Sequence, residues 1–264
     1  MRNCNNKRKL SRAQEIERTI VKTYRKDIWG RFVKAVEHYE LIADGDCIAV
    51  CVSGGKDSAL LAKLMQIYAR CIDKKFEVKF LSMDPGYSEA NRKRLEDNAK
   101  VLDIPLNIFS TNVFEAVEDT DISPCFICAR MRRGHLYRRA KEMGCNKVAY
   151  AHHKDDIIET MLLSLIFEGR FYSFSPKTYL DRMDLTVIRP MMFIDEMEVI
   201  GFRNKYSLPV VKGKCPVDGH TKRQYAKELL RELNKEHPGT KERMFHAILT
   251  GDIKGWPQRT ISRR

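Results

Sequence analysis

The chain has no apolar stretch long enough to span a bilayer, and its first residues, Met1-Arg2-Asn3-Cys4, carry no apolar signal-peptide core. These absences set the expectation of a cytoplasmic protein with no membrane partner. There is no internal repeat and no low-complexity linker. The Walker spacing G-x4-G-K-[ST] is missing, which excludes the ordinary P-loop. A second C-x-x-C and an H-x3-5-H pair are missing too, so a tetrahedral zinc site lacks two good ligands near the single C-x-x-C that is present.

What the chain does have is positive charge. Its 264 residues carry a formal net charge of +13, which favours a polyanionic partner because neutralised phosphates release counterions. From Met1 to Lys34 there are eleven Lys or Arg against three acidic residues, and from Arg130 to Lys141 six against none. A charge run can be only a solvated face; the alternatives are a nucleic-acid surface and, more weakly, a membrane surface. Eight cysteines in a chain of this kind argue against a disulfide framework and for metal or sulfur chemistry at some of them. Cys47, Cys51, Cys71 and Cys145 lie in apolar or strand-like surroundings and read as small core residues. Cys4 lies in a polar tail. Cys125, Cys128 and Cys215 are left.

The length suits one α/β domain, or one domain with terminal additions. Ile16, Ile20, Tyr24, Ile28, Phe32 and Val36 recur every fourth residue, which predicts a long helix from Ser11 to about Ile42. Asp44-Gly45-Asp46 ends it. Strand-like runs follow at Cys47–Val52, Phe76–Met83, Leu106–Ser110, Lys147–Ala151 and Leu185–Ile188. Helical runs fall at Ser58–Cys71, Glu89–Leu102, Phe126–Met143 and Asp155–Phe167. The alternation predicts a parallel sheet with helices on both faces. We read residues 1–43 as a basic helical segment, 44–194 as the nucleotide-binding domain with the C-x-x-C, and 195–264 as an α-rich extension carrying Cys215.

Ser53-Gly54-Gly55-Lys56-Asp57-Ser58 stands between an apolar strand-like run and a helix start. Glycines let the backbone approach an anion, and the free N–H groups of a helix N-terminus point at it. Lys56 adds a mobile positive charge, and Ser53 and Ser58 add hydroxyls. The six residues resemble the PP-loop of the ATP pyrophosphatase family, which typically cleaves ATP to AMP and pyrophosphate. In doubly wound sheets, ligands bind beyond the carboxyl ends of the strands. This loop, Asp84 after Met83, and His152-His153 after Ala151 all fall at such ends, so they read as one site.

Two further constellations carry chemistry. Cys125-Phe126-Ile127-Cys128 is open between zinc, a redox dithiol and an iron–sulfur cluster; three thiolates, with Cys215 as the third, can hold a 4Fe–4S cluster and leave one iron open. In Ala151-His152-His153-Lys154-Asp155-Asp156, the paired carboxylates can coordinate Mg²⁺ on ATP phosphates or handle a proton. They can equally stabilise a helix N-terminus against its dipole, and both can be true. Glu159, one turn on, could share either role.

In order along the chain, S-G-G-K-D-S, C-F-I-C-A-R-M-R-R-G from Cys125 to Gly134, A-H-H-K-D-D from Ala151 and the late Cys215 resemble the TtcA family, the tRNA 2-thiocytidine synthetases. Val187-Ile188-Arg189-Pro190 and Thr221-Lys222-Arg223-Gln224 also resemble family segments, and the likeness runs from about Lys9 to about Thr250. Pro85-Gly86-Tyr87 is shorter than the corresponding loop of the best-known members. Where those carry a second C-x-x-C, this chain has Cys215 and then Asp218.

The resemblance implies ATP-dependent thiolation of a tRNA base. The C2 oxygen of cytidine, at anticodon-loop position 32, attacks the α-phosphate of ATP and releases pyrophosphate. Sulfur then attacks the activated carbon and AMP leaves. It implies ATP over Ser53, Gly54, Gly55, Lys56, Asp57 and Ser58, with Asp84 and His152 beside it. Lys56, Asp57, Asp155 and Asp156 are the expected catalytic and Mg²⁺-orienting groups. Cys125, Cys128 and Cys215 are the expected ligands of a 4Fe-4S cluster. Arg130, Arg132, Arg133 and Arg138 would meet tRNA phosphates, with the N-terminal basic segment assisting. The target base must leave its stack to reach such a site. The implied partners are tRNA and a sulfur donor, a cysteine desulfurase-derived persulfide or sulfide; a homodimer is a further expectation. The rivals are a lysidine synthetase, which has no need of the three cysteines, a thiouridine synthetase, whose extra C-x-x-C pairs are absent, and a metal-containing RNA-binding protein without turnover.

Overall fold

The computed structural model describes residues 10–111, 124–211 and 221–251, with the backbone alone at 124–129. Two compact units emerge. The first comprises residues up to Lys154 together with Ser175–Pro216, and the second comprises Asp155–Phe174 and the chain from Val217 onward.

In the first unit, α1 (Arg12–Lys22) opens with a capping box. Ser11 Oγ accepts from Gln14 N at 3.3 Å and Gln14 Oε1 accepts from Ser11 N at 3.0 Å. The long helix expected to reach Ile42 is interrupted by a π-turn at Arg25–Trp29, then resumes as α2 (Gly30–His38). The interruption has a geometric cause. At 3.6 residues per turn, apolar residues spaced by four drift around the helix by roughly 40° per step. The wider π-turn, with Trp29 N–H donating to Tyr24 O, takes in one more residue and turns the stripe back. Ile16, Ile20, Ile28, Phe32 and Val36 consequently all stay fully buried.

A six-stranded sheet follows, of order β3-β2-β1-β4-β6-β5. Its strands are β1 (Cys47–Cys51), β2 (Glu77–Asp84), β3 (Leu106–Ser110), β4 (Lys147–Ala149), β5 (Lys177–Leu180) and β6 (Leu185–Ile188). All pairings are parallel except that of β5 with β6. That antiparallel edge strand departs from the all-parallel expectation. Lys177–Leu180 and Leu185–Ile188 are joined by a tight turn, which permits only a hairpin, and Asp184 there has φ 46°.

The central strand shows why both faces must be covered. Ile48 and Val50 point into one apolar cluster with Leu60, Leu61 and Leu64 of α3 (Lys56–Cys71) and Leu95 and Leu102 of α4 (Glu89–Leu102). Ala49 and Cys51 point the other way, against Leu136, Tyr137 and Ala140 of α5 (Pro124–Glu142). Such strands are continuous apolar runs because neither face meets water. Ile16, Ile20, Phe32 and Val36, with Val199 and Phe202 of α7 (Glu196–Tyr206), complete the first cluster. Of the cysteines read as core residues, Cys51 and Cys145 are buried, but Cys47 is half-buried and Cys71, at the last position of α3, is exposed.

The second unit contains α6 (Lys154–Glu168, from Asp155 on), α8 (Lys222–Glu236) and α9 (Thr240–Thr250). Thr221 caps α8 by accepting from Gln224 N at 3.2 Å. Ala226, Leu230 and Phe245 are its buried apolar residues on α8 and α9. Among the described residues, no helix is long and apolar enough to cross a membrane.

Candidate active site

β1 lies where the strand order reverses, with β2 on one side and β4 on the other. The carboxyl edge of a doubly wound sheet opens into a crevice at such a switch point. Ser53 follows β1, Asp84 ends β2, and His152 and His153 follow β4, so three adjacent strands deliver all four residues to one edge. That grouping is the one expected from the sequence.

The loop is held by its own hydroxyls. Ser53 N donates to Ser58 Oγ at 3.1 Å, Ser58 Oγ donates to Gly55 O at 3.0 Å, and Gly55 N meets Ser53 Oγ at 3.4 Å. Gly54 has φ +80°, a conformation that only glycine adopts without strain. Helix α3 begins at Lys56, so the N–H groups of its first turn face the loop.

Lys56 Nζ lies 2.9 and 3.0 Å from the two carboxylate oxygens of Asp57 and 3.2 Å from Glu196 Oε1. Burial opposes the ammonium, but Asp57 and Glu196 outweigh it and hold its pKa above the ordinary lysine value. His153, buried, sets Nε2 3.7 Å from Asp57 Oδ1. Lys154 and Arg31 both pair with Asp195, the residue before Glu196; the Lys154 contact is 2.5 Å. Burial raises the Asp195 pKa, and the two cations more than reverse it, leaving it lowered.

Asp84 is buried and accepts from Gly86 N at 3.0 Å and Tyr87 N at 2.7 Å, with Arg92 Nη1 3.3 Å away. It shapes the short Pro85-Gly86-Tyr87 turn and brings the Tyr87 hydroxyl to Ser53 O at 3.4 Å. Arg132 of α5 also bonds the Tyr87 hydroxyl, against a pKa raised chiefly by burial.

The carboxylates after the histidines belong to the second unit. Asp155 and Asp156 stand in the first turn of α6, where acids complement the dipole. Asp155 pairs with Lys241, and Asp156 with Arg223 at 3.0 Å. Arg223 also reaches Glu159 at 3.9 Å. Among the described residues, no three His, Cys, Asp or Glu side chains gather as a metal site.

The helix expected from Phe126 starts two residues earlier and takes in the whole C-x-x-C. Helix α5 begins at Pro124, a residue suited to the first helical position, so Cys125 and Cys128 are three residues apart in its opening turn. Their side chains, and Cys215 entirely, lie outside the described residues. Further along α5, Arg130, Arg133 and Arg138 are exposed and Arg132 is half-buried. Arg139 and Lys141 are engaged with Glu142 and Asp184. A second basic surface is a groove on the first two helices, where Arg25, Lys26, Lys34 and His38 surround Trp29, with Glu37 beside them.

A family model described as the PP-loop domain matches residues 24–233. The chain is 37% identical over 232 residues to the tRNA-cytidine(32) 2-sulfurtransferase of Geobacter metallireducens, covering 86% of this chain and 90% of that protein. It is 39% identical over 220 residues to that of Pelobacter propionicus, covering 81% and 82%. The chain belongs to the TtcA family of PP-loop proteins. Among solved structures, the U34-tRNA thiolase NcsA from Methanococcus maripaludis with its [4Fe-4S] cluster superposes with a TM-score of 0.66. The identity is 21%, over 86% of this chain and 79% of that one, a likeness of fold. Glu196 and Tyr87 are the residues at this TtcA-family site that sequence reading passed over. The signal for Glu196 was an Asp-Glu pair opening a helix; for Tyr87 it was a turn of altered length.

Proposed function

We propose that the chain is an ATP-dependent tRNA sulfurtransferase that converts cytidine 32 to 2-thiocytidine. The observation that carries this reading is the S-G-G-K-D-S loop, set at the strand switch point and the N-terminus of α3, in a chain matching tRNA-cytidine(32) 2-sulfurtransferases over most of its length. Backbone N–H groups and Lys56 would take the ATP phosphates. Asp57 in the first unit, or Asp155 and Asp156 in the second, would serve Mg²⁺, which usually binds through one or two carboxylates plus phosphates and so needs no three-acid cage. Adenylation of the cytidine oxygen converts it into a good leaving group, AMP. Asp84 shapes the turn beside the nucleotide, and His152 and His153 line it, His153 orienting Asp57. Arg130, Arg132, Arg133 and Arg138 would carry tRNA phosphates, with the basic N-terminal helices assisting.

Cys125 and Cys128, one helical turn apart, fit a thiolate donor pair, and with Cys215 they would hold a 4Fe–4S cluster that presents sulfur to the activated carbon. The sulfur would come from a persulfide or sulfide donor in the cytoplasm.

Deleting the gene and analysing bulk tRNA nucleosides by mass spectrometry tests the reading. The expected result is selective loss of 2-thiocytidine, restored by the wild-type gene and not by Cys128→Ala. Persistence of 2-thiocytidine with loss of another thiolated base or of lysidine would move the substrate. No change in any nucleoside would overturn tRNA modification as the function.

A further inference from the structure

We propose that Glu196 is a positioning residue for the phosphate-binding Lys56, holding its ammonium at the loop independently of Asp57. The inference rests on the nucleotide reading of the loop and goes beyond it in assigning work to the first turn of α7.

Two carboxylates beside a phosphate site pose an electrostatic problem. Asp57 and Glu196 both contact Lys56, at 2.9 and 3.2 Å, and two uncompensated negative charges there would repel a polyphosphate. The problem resolves if the acids have different tasks. Asp57 sits in the loop itself, is the more exposed of the two (side chain 30% against 12%) and has His153 at 3.7 Å. It is the acid that would serve Mg²⁺. Glu196 is fixed from outside the loop, because its helix start is anchored by the preceding residue. Asp195 holds Lys154 at 2.5 Å and pairs with Arg31 from α2.

An ammonium has three N–H donors and a flexible four-carbon stem. With one donor on Glu196, Lys56 can keep its place while the others meet phosphate oxygens. Without Glu196, the side chain must be ordered by ATP alone, at a cost comparable with the rotamer entropy of a lysine. A competing explanation is that Glu196 only complements the dipole of α7. The two differ in what else must change when Glu196 is altered.

Binding of Mg·ATP, and separately of adenosine, is measured by titration calorimetry on the full chain carrying Glu196→Gln, Lys56→Met, or both. The expected result is an ATP affinity roughly tenfold weaker for Glu196→Gln, no further loss when it is added to Lys56→Met, and unchanged adenosine affinity. Additive losses in the double variant, an equal loss for adenosine, or unchanged or tighter ATP binding by Glu196→Gln would each overturn the proposal. If Lys56→Met binds too weakly to close the cycle, the ATP-to-adenosine comparison decides alone. Failure of the wild-type chain to bind ATP would instead sink the nucleotide reading, and this proposal with it.

Discussion

Gly54 and Val211 are in contact at the mouth of the loop: a Cβ built on Gly54 would lie 2.5 Å from Val211 Cγ2, while Val211 N donates to Gly54 O at 3.0 Å. Any side chain at Gly54 therefore meets both a steric clash and a left-handed φ of +80°. The conformational part alone costs about 1–2 kcal/mol. Gly54→Ala should weaken ATP binding by roughly tenfold or more. Gly54→Ala with Val211→Ala should recover part of that loss, since the clash is relieved and the φ strain is not. Equal affinity of the single and double variants, measured by calorimetry, would show that the contact plays no part.

Lys63 is fully buried on α3, with Nζ 2.5 Å from Glu17, 2.7 Å from Gln66 and 2.7 Å from Leu102 O. Burial lowers its pKa and Glu17 opposes that shift. Removing Glu17 leaves the buried Lys63 ammonium without its carboxylate, at a cost of about 3–5 kcal/mol, whereas Lys63→Met leaves a partly exposed Glu17 still paired with Arg70 at 2.8 Å. Glu17→Ala should accordingly destabilise the protein more than Lys63→Met in denaturant melts. The reverse order would mean that the lysine stem, not its charge, holds α1, α3 and α4 together.

The alternation of strands and helices was readable because β1 is an uninterrupted apolar run and α3 to α5 begin near turn residues. The loop at Ser53 was readable for a local reason: glycine freedom and a helix start are sequence-adjacent. Two features were not. A stripe at i+4 looks like one helix until the accumulated drift is reckoned, so the π-turn at Arg25–Trp29 escaped. The contact from Glu196 to Lys56 joins positions 140 residues apart, and no local pattern encodes such a meeting. Nor does any local signal group Asp155–Phe174 with the C-terminal helices, since that division depends on long-range packing.

At the opposite end of the sheet from the loop, buried Asp46 binds Lys147 Nζ at 2.6 Å, Asn146 Nδ2 at 2.9 Å and Ala43 N at 2.6 Å. Burial pushes its pKa up, but the backbone N–H, Lys147 and Asn146 more than reverse this and hold it below the ordinary aspartate value. A lowered folded-state pKa contributes stability above the unfolded value, about pH 4, which is lost as pH falls through the folded value. Asp46→Asn should lose about 3–5 kcal/mol at pH 7, and its deficit against wild type should shrink as pH falls below about 4. A deficit that does not change with pH, in melts across that range, would count against the charge as the cause.

The groove formed by Arg25, Lys26 and Lys34 beside Trp29 offers a phosphate-binding surface. Lys34 Nζ also lies 5.6 Å over the ring of Phe193, two residues before Asp195. Lys26→Glu and Lys34→Glu should weaken tRNA binding while leaving ATP binding unchanged. For every tRNA phosphate left without its lysine, the slope of log affinity against log salt should fall by about 1. An unchanged slope in filter-binding titrations would restrict these lysines to a solvated face.

A variant at Cys215 would test the sulfur chemistry apart from the nucleotide chemistry. Cys215 follows Val211, the partner of Gly54, by four residues, yet its proposed role is toward the thiol pair at the start of α5 rather than toward ATP. If three thiolates hold the cluster, losing one leaves two ligands, too few to retain it. Cys215→Ala, purified without oxygen, should then lose its iron and acid-labile sulfide together with thiolation in vivo. The same protein should bind ATP with wild-type affinity, since the role proposed for Cys215 is in holding the cluster and not in the phosphate cradle. Thiolation that persists in Cys215→Ala would rule out the three-thiol site. A joint loss of ATP affinity would mean instead that the segment after Val211 is part of the nucleotide pocket.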